Sequence, residues 1–315
     1  MHKVVVARPM PRRVTDFAHQ TFDAFVAERV LSPEETIDAL KQHDAEGLVL
    51  GSNIRLDAAS VARLPARIRV VATTSVGFDH LDVPALKARG ITVTYCPTAV
   101  TACTADLTLM LLLCAARRAN EYNALMRAGW GRKLGFDELL GVRFSGKTLG
   151  IAGMGRIGQA VAQRTRGFDM QIHYYDVRRL PPELEQGAVF HADLDAMLPH
   201  CAFLTLHLPA AETPLINART LALMPDNAIL VNAGSGNLVD EDALVNALAS
   251  GKLAAAGLDT YMNEPNIDTR LVSLDNVFMT PHMGTGTVDT REALGIRALE
   301  NVAAVLGGRP ALDPL

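Results

Sequence analysis

The chain has 315 residues, of which 49% are hydrophobic and 20% charged, with a formal net charge of −4. This length favours two domains over one, and the composition is typical of a well-packed globular protein. The small negative charge and the lack of basic runs argue against nucleic-acid binding. The most apolar segment, residues 107–116, is about half the length of a membrane span. We therefore expect neither a membrane segment nor an N-terminal signal peptide.

Four cysteines occur, and none forms a C-x-x-C pair; they are Cys96, Cys103, Cys114 and Cys201. Their spacing supports neither a disulfide framework nor a metal site. We expect small, buried thiols in a cytoplasmic protein.

Short apolar runs alternate with helical patterns in the first hundred residues. The runs predict strands over residues 4–7, 47–50, 68–73 and 91–95, and the patterns between them predict helices over residues 15–30, 33–43 and 84–89. This alternation indicates a parallel sheet covered by helices. Because ligands bind beyond the carboxyl ends of such strands, the turns at residues 51–53 and 75–77 are site candidates. For the first turn, a simple connection is equally favoured.

A long, mostly apolar helix is predicted over residues 100–118, and its start is the predicted domain boundary. A helix that is apolar all round is usually buried. Residues 119–145 are less regular and contain the only tryptophan, Trp130. This segment is interpreted either as an arm that contacts a second subunit or as a surface excursion.

Residues 147–179 carry a dinucleotide-binding pattern in which a strand, a glycine-rich turn, a helix and a second strand follow in order. The turn reads G-x-G-x-x-G, with Gly153 for the tight turn, Gly155 for close approach of a pyrophosphate and Gly158 for helix packing. A helix N-terminus favours phosphate. The second strand ends at Asp176, whose carboxylate is expected to bind the ribose hydroxyls of the adenosine.

Further strands are predicted over residues 202–206, 228–231, 254–258 and 277–280, with helices over 241–249 and about 287–306. His282 follows the last strand and Glu264 follows the preceding one. A carboxylate beside an imidazole favours its protonated form, which suits a proton donor near neutral pH. Paired with the hydride chemistry of a nicotinamide, this predicts reduction of a carbonyl to an alcohol. A purely structural ion pair is the alternative.

Six stretches of the chain, 73–97, 103–113, 126–130, 146–158, 257–266 and 281–291, resemble the D-isomer-specific 2-hydroxyacid dehydrogenases in order and nearly over the full length. Within that family the chain is similar to the bacterial glyoxylate/hydroxypyruvate reductases. The resemblance implies an α/β fold of two doubly wound parallel-sheet domains, a Rossmann dinucleotide-binding domain (residues 100–283) inserted into a flavodoxin-like substrate domain (residues 1–99 and 284–315). It also implies a homodimer, with the segment around Trp130 at the contact.

The resemblance implies roles by position. His282 matches the proton donor and Glu264 its acidic partner, while the backbone of Ser75, Val76 and Gly77 matches the loop that holds the substrate carboxylate. Positions expected to bind the cofactor are Thr104, Gly153, Gly155, Arg156, Ile157, Gly158, Asp176, Arg178, His207, Pro209, Ala233, Gly234, Asp259 and Gly284. No metal is expected.

One departure from the family pattern concerns the substrate. Where the family reads N-x-x-R-G, this chain reads Asn-Ala-Gly-Ser-Gly over residues 232–236, so Ser235 replaces an arginine. A guanidinium binds a carboxylate through two charged hydrogen bonds, whereas a hydroxyl offers one neutral donor. Three explanations stay open: a different or larger substrate anchored elsewhere, another cation such as Arg55 or Arg291, or a weakened site.

Cofactor choice rests on residues 176–179. Asp176 favours NAD, whereas Arg178 and Arg179 leave NADP possible by offering charge to a 2′-phosphate. The favoured function is reduction of a small 2-oxo acid of the glyoxylate or hydroxypyruvate type. The alternative is an NAD(H)-binding sensor that regulates a partner and has little or no catalysis.

Overall fold

The computed structural model describes residues 1–315 and divides the chain into two α/β units. Unit 1 comprises Met1–Val100 and Thr285–Leu315, and unit 2 comprises Thr101–Gly284. None of the helices has the length and apolar character needed to cross a membrane.

Five short parallel strands form the sheet of unit 1. The strands are β1 (Lys3–Val6), β2 (Asp23–Val26), β3 (Gly47–Leu50), β4 (Val70–Thr73) and β5 (Thr92–Thr94), and the helices between them are α1 (Arg12–Thr21), α2 (Pro33–Gln42), α3 (Ala58–Ala62) and α4 (Val83–Ala88). The strand order is β2-β1-β3-β4-β5, so the direction of winding reverses between β1 and β3. Strands β3 and β4 are completely buried, because helices cover both faces of a parallel sheet.

The predicted helix over residues 15–30 was wrong in its second half. Helix α1 ends at Thr21, and β2 pairs in parallel with β1 from Lys3–Asp23 to Val6–Val26. Strand β2 lies at the sheet edge, and none of its four residues is fully buried. It therefore lacks the apolar run of a central strand, and its pairing with β1 is a long-range contact that a local pattern does not reveal.

Unit 2 contains a seven-stranded parallel sheet. Its strands are β6 (Thr148–Ala152), β7 (Gln171–Tyr175), β8 (Val189–His191), β9 (Phe203–Leu206), β10 (Ala228–Asn232), β11 (Leu253–Leu258) and β12 (Val277–Met279). Its helices are α5 (Thr101–Ala116), α6 (Ala119–Arg127), α7 (Arg156–Thr165), α8 (Pro182–Glu185), α9 (Leu194–Met197), α10 (Ala218–Leu223), α11 (Glu241–Ala249) and α12 (Thr269–Val272). The strand order β12-β11-β10-β9-β6-β7-β8 places the winding reversal between β6 and β9.

Helix α5 is buried in unit 2, as its apolar sequence predicts. It packs against β10, β11 and α7. Gly257 in β11 makes this close packing possible, since a Cβ there would lie 3.0 Å from both Cβ and the carbonyl oxygen of Leu111.

The last helix, α13 (Val288–Leu306), packs against β3, β4 and α1 and completes unit 1. Gly295 lets α13 approach α1, because an added Cβ would lie 2.6 Å from a methyl group of Val14. Unit 2 is thus inserted into the sequence of unit 1. The prediction of two doubly wound parallel-sheet domains is confirmed.

Candidate active site

The glycine-rich turn follows β6, beside the winding reversal of the unit 2 sheet. Gly153 has φ of +97°, and a Cβ there would lie 2.6 Å from the His207 carbonyl oxygen. A Cβ on Gly158 would overlap the carbonyl oxygen of Gly153, whereas the space around Gly155 is open. The fold therefore requires glycine at two of the three positions, and the third leaves the turn accessible.

The start of α7 suits a phosphate group. Gly155 precedes the helix, no side chain caps it, and the first two helical residues are the exposed Arg156 and the half-buried Ile157. A helix N-terminus without a side-chain cap favours the binding of anions. Asp176, at the end of β7, accepts a hydrogen bond from the Met154 amide at 2.7 Å. The open turn, the uncapped helix and the carboxylate together fit a dinucleotide.

The two arginines after Asp176 differ. Arg179 donates to both carboxylate oxygens of Glu185, at 2.8 and 3.1 Å, and Tyr174 donates to the same carboxylate at 2.6 Å. Arg178 is exposed, and its backbone amide bonds Asp176 at 3.4 Å. Arg179 is consequently held in a structural ion pair.

His282 and Glu264 are in direct contact at the carboxyl end of the same sheet. Nδ1 of His282 lies 2.6 Å from Oε2 of Glu264, while Oε1 of Glu264 accepts the Tyr261 amide at 2.9 Å. Burial disfavours ionisation of Glu264, but the bonds from His282 and Tyr261 outweigh it and hold its pKa below the usual value. The carboxylate therefore fixes Nδ1 as the donor to Glu264.

The turn that carries His282 is held by Asp259. This buried carboxylate accepts the Met283 and Gly284 amides at 2.7 and 2.8 Å and the Thr280 hydroxyl at 2.6 Å. Burial raises the pKa of Asp259, and these bonds offset the effect only in part. His282 itself has φ of +54°, an uncommon conformation for a residue other than glycine. The hydrogen bonds to Asp259 hold the backbone on either side of His282.

Thr104 joins the same cluster from α5. Its buried hydroxyl donates to the Gly284 carbonyl oxygen at 3.2 Å. Pro209, Ala233 and Gly234 follow the neighbouring strands β9 and β10.

His207, at the end of β9, contributes an unpaired buried nitrogen. Its Nε2 lies 3.1 Å from the Thr205 hydroxyl, and its Nδ1 is buried without a hydrogen-bond partner. Burial lowers the pKa of His207 to about 4, so the ring is neutral at physiological pH. A buried polar atom without a partner is costly, and a bound ligand is one way to satisfy it.

Ser235 brings no charge to this edge of the sheet. Its hydroxyl donates to the side chain of Asn237 at 3.0 Å, and the Asn232 amide donates to its carbonyl oxygen at 2.9 Å. A Cβ on the next residue, Gly236, would overlap the Tyr261 carbonyl oxygen. The turn thus keeps a glycine enforced by packing, and the neighbouring position carries an uncharged hydroxyl.

The loop at residues 75–77 belongs to unit 1 and follows β4. The Ser75 hydroxyl donates to the Gly77 carbonyl oxygen at 2.7 Å and lies 2.7 Å from the Thr73 hydroxyl, which in turn contacts Nε2 of His80 at 3.0 Å. Burial lowers the pKa of His80 to about 4. Val76 and Gly77 are exposed. The supporting residues Thr73 and His80 were missed from sequence, although both lie within five residues of the loop.

Comparison with known proteins identifies the family. Residues 109–284 match the profile described as "D-isomer specific 2-hydroxyacid dehydrogenase, NAD binding domain". The glycerate dehydrogenase of Hyphomicrobium methylovorum is 37% identical over 316 residues, which cover 97% of this chain and 96% of that protein.

Two solved structures extend the similarity to the fold. A putative D-isomer-specific 2-hydroxyacid dehydrogenase from a Polaromonas species has a TM-score of 0.95 at 34% identity, over 100% of this chain and 99% of that one. An NADPH-dependent glyoxylate/hydroxypyruvate reductase from Sinorhizobium meliloti, solved with NADP and malonate, has a TM-score of 0.87 at 30% identity, over 100% and 96%. The chain therefore belongs to the D-isomer-specific 2-hydroxyacid dehydrogenase family of NAD(P)-dependent oxidoreductases.

Proposed function

We propose that the protein interconverts a small 2-oxo acid and its D-2-hydroxy acid, with His282 as the group that exchanges the proton. The main observation that supports this proposal is the 2.6 Å contact between His282 and Glu264, with the His282 turn held by hydrogen bonds to Asp259. Unit 2 is the proposed cofactor domain and unit 1 the proposed substrate domain.

In this mechanism the bound nicotinamide supplies the hydride for reduction and accepts it in oxidation. Nε2 of His282 gives its proton to the carbonyl oxygen as the alcohol forms, and it takes the proton back in the reverse direction. Glu264 stabilises the protonated ring and fixes its orientation through Nδ1. The backbone of residues 75–77, held by Ser75, Thr73 and His80, is proposed to orient one end of the substrate.

The proposed cofactor contacts follow the geometry of unit 2. The amides at the start of α7, around Arg156 and Ile157, are proposed to bind the pyrophosphate, and Nδ1 of His207 is a candidate donor or acceptor for the bound cofactor. The two carboxylate oxygens of Asp259 already accept three hydrogen bonds, so its proposed role is to hold the His282 turn as well as to line the cofactor. Asp176 is proposed to bind the adenosine ribose.

NAD(H) is the proposed cofactor, ahead of NADP(H). Asp176 places a negative charge at the end of β7, which repels a 2′-phosphate, and Arg179 is already paired with Glu185. Arg178 alone is left to offer a charge. We expect kcat/KM with NADH to exceed kcat/KM with NADPH, and the reverse order would contradict this assignment.

The proposed substrate recognition is altered at Ser235. Loss of a charged partner from a substrate contact typically costs about 2–5 kcal/mol. The test is reduced-cofactor oxidation with a panel of 2-oxo acids and uncharged carbonyl compounds, for the natural sequence, Ser235→Arg and the control Ser235→Ala. The Ser235 hydroxyl carries no charge and already donates its hydrogen bond to Asn237. We therefore expect the alanine variant to turn over substrate like the natural sequence.

The outcomes separate the explanations for Ser235. If the natural sequence reduces a 2-oxo acid at an ordinary rate and Ser235→Arg is slower, the serine belongs to a changed specificity. If only Ser235→Arg reduces glyoxylate or hydroxypyruvate, the natural site is weakened. NADH binding without turnover of any carbonyl compound, in both proteins, would contradict the proposed reaction and favour a cofactor-binding regulator.

A homodimer in the cytoplasm completes the proposal. The last turn of α6 and the segment after it expose large apolar side chains, namely Met126, Trp130, Phe136 and Leu140. A cluster of this kind is typical of an interaction surface. Light scattering is expected to give twice the chain mass, and Phe136→Asp is expected to shift the protein towards monomer.

A further inference from the structure

Two arginines of unit 1, Arg8 and Arg291, have no acidic partner, and the charge of Arg291 acts on Arg8. Arg8 follows β1, and Arg291 lies in the first turns of α13. Neither side chain takes part in a hydrogen bond or an ion pair, and both are half-buried. Glu292, the acid next to Arg291, is engaged with Arg13 at 3.3 Å.

The position of Arg8 is defined by packing. Its guanidinium covers Gly51, because a Cβ at that residue would overlap Nη1 and lie 3.2 Å from Cδ of Arg8. The Asn53 side-chain oxygen is 3.1 Å from the same point. Gly51 thus makes room for the guanidinium at the carboxyl end of β3.

This place in the fold is one where ligands bind. Strands β1 and β3 are neighbours in the order β2-β1-β3-β4-β5, and the winding reverses between them. In open parallel sheets the crevice at this reversal, beyond the carboxyl ends of the strands, is the common ligand site. Arg8 and Gly51 stand on its two sides.

The positive charges of Arg8 and Arg291 also favour the binding of an anion. Burial, and then the positive charge of Arg291, lower the pKa of Arg8. Two like charges that are partly removed from water repel each other, and such an arrangement is stabilised when an anion binds. A carboxylate matches the planar fork of a guanidinium.

We propose that Arg8 and Arg291, with the turn at residues 51–53, bind a carboxylate, and that the substrate is a 2-oxo dicarboxylic acid whose second carboxylate occupies this site. The reaction in this inference rests on the proposed function, but all residues of the binding site belong to unit 1. The loop at residues 75–77 follows β4, the next strand after β3, so the substrate would extend along the sheet edge from that loop towards Arg8. A larger substrate anchored in unit 1 has less need of the cation that Ser235 replaces.

The first test needs no turnover. Thermal unfolding is followed with malonate or acetate at constant ionic strength, for the natural sequence, Arg8→Met, Arg291→Met and the control Arg12→Met, an exposed position on α1. Malonate is expected to stabilise the natural protein and Arg12→Met, and to bind about ten-fold more weakly or worse to the other two. Without malonate, Arg8→Met and Arg291→Met should unfold at the same temperature as the natural protein or higher, because the repulsion is gone.

Three outcomes of this test overturn the site. In the first two, malonate fails to stabilise the natural protein, or it stabilises all four proteins equally. In the third, both variants unfold at a lower temperature than the natural protein without malonate, because the arginines have a structural role instead. If Arg8→Met does not fold, Arg8→Gln and Arg291→Met carry the same comparison.

The second test concerns the substrate class. With NADH, kcat/KM for oxaloacetate or 2-oxoglutarate should exceed that for pyruvate or glyoxylate, and it should fall about ten-fold or more in Arg8→Met and Arg291→Met. The value for pyruvate should change much less. An equal loss for mono- and dicarboxylic acids overturns the dicarboxylate assignment. Malonate binding with no turnover of any 2-oxo acid would refute the proposed reaction while it supports the carboxylate site.

Discussion

The contact between His282 and Glu264 predicts how activity depends on pH. Replacement of Glu264 by glutamine keeps the size and an oxygen acceptor but removes the negative charge 2.6 Å from Nδ1. The protonated imidazole then loses its stabilising partner and gives up its proton at lower pH. In the reductive direction, which needs the protonated ring, the fall in kcat/KM should therefore move to lower pH.

The magnitude follows from the geometry. Two unit charges about 4 Å apart attract by about 1 kcal/mol in water and by about 4 kcal/mol near a protein surface. The His282 side chain is 61% exposed and that of Glu264 32%, so solvent keeps the coupling nearer the lower value, about 1–2 kcal/mol. At about 1.4 kcal/mol per unit, the midpoint of the profile should shift by about one pH unit.

The assay is kcat/KM for the best 2-oxo acid between pH 5 and 9, each value at fixed ionic strength. Glu241→Gln is the matched control, because Glu241 accepts the Met262 amide at 2.9 Å, two residues before Glu264. The control should keep the natural midpoint. A Glu264→Gln protein whose midpoint coincides with that of the natural sequence would refute the electrostatic role of Glu264, whatever its rate.

Three further predictions concern unit 2. Gly158→Ala should destabilise the protein by more than about 2 kcal/mol in urea unfolding, because the added Cβ would overlap the Gly153 carbonyl oxygen. Gly155→Ala should unfold like the natural protein but bind NADH more weakly. Equal stability of the two variants would contradict the packing argument. Asp176→Ala should raise the ratio of kcat/KM for NADPH to that for NADH about ten-fold, and an unchanged ratio would remove Asp176 from cofactor choice. Glu185 has its pKa held below the usual value by Arg179 and Tyr174, so its contribution to stability is present above its unfolded pKa and is lost as pH falls through the folded one. Glu185→Gln should accordingly lose less stability between pH 5 and 3 than the natural protein does, and an identical loss would count against this account.

The predictions from sequence are correct where local pattern and tertiary structure agree. The dinucleotide-binding pattern was predicted to begin with a strand, and β6 is that strand, a buried run followed by glycines. The predictions failed where the structure depends on partners distant in sequence. Strand β2 has no apolar run, and the short helices α3, α8, α9, α10 and α12 are too brief to show a helical period.

In the candidate site, too, strand order predicted some contacts from sequence, whereas contacts that depend on turn geometry were missed. His282 and Glu264 stand 18 residues apart, and their contact was proposed because both follow neighbouring strands of one parallel sheet. Asp259 was expected to line the cofactor, but its bonds to the amides of residues 283 and 284 depend on a turn geometry that no spacing rule gives. Arg8 was missed because nothing in a local pattern tells an unpaired arginine from a solvated one.

The hydrogen bond from Thr104 to Gly284 shows that the two ends of unit 2 lie close together. It links the fourth residue of unit 2 to its last one. A module whose two ends meet can enter a loop of a host protein without stretching the host chain, and such sites are where domain insertion succeeds. The ends of unit 2 meet in this way. The last residues of unit 2 include the turn that carries His282, so a graft of this module into a new host would bring the His282–Glu264 pair with it.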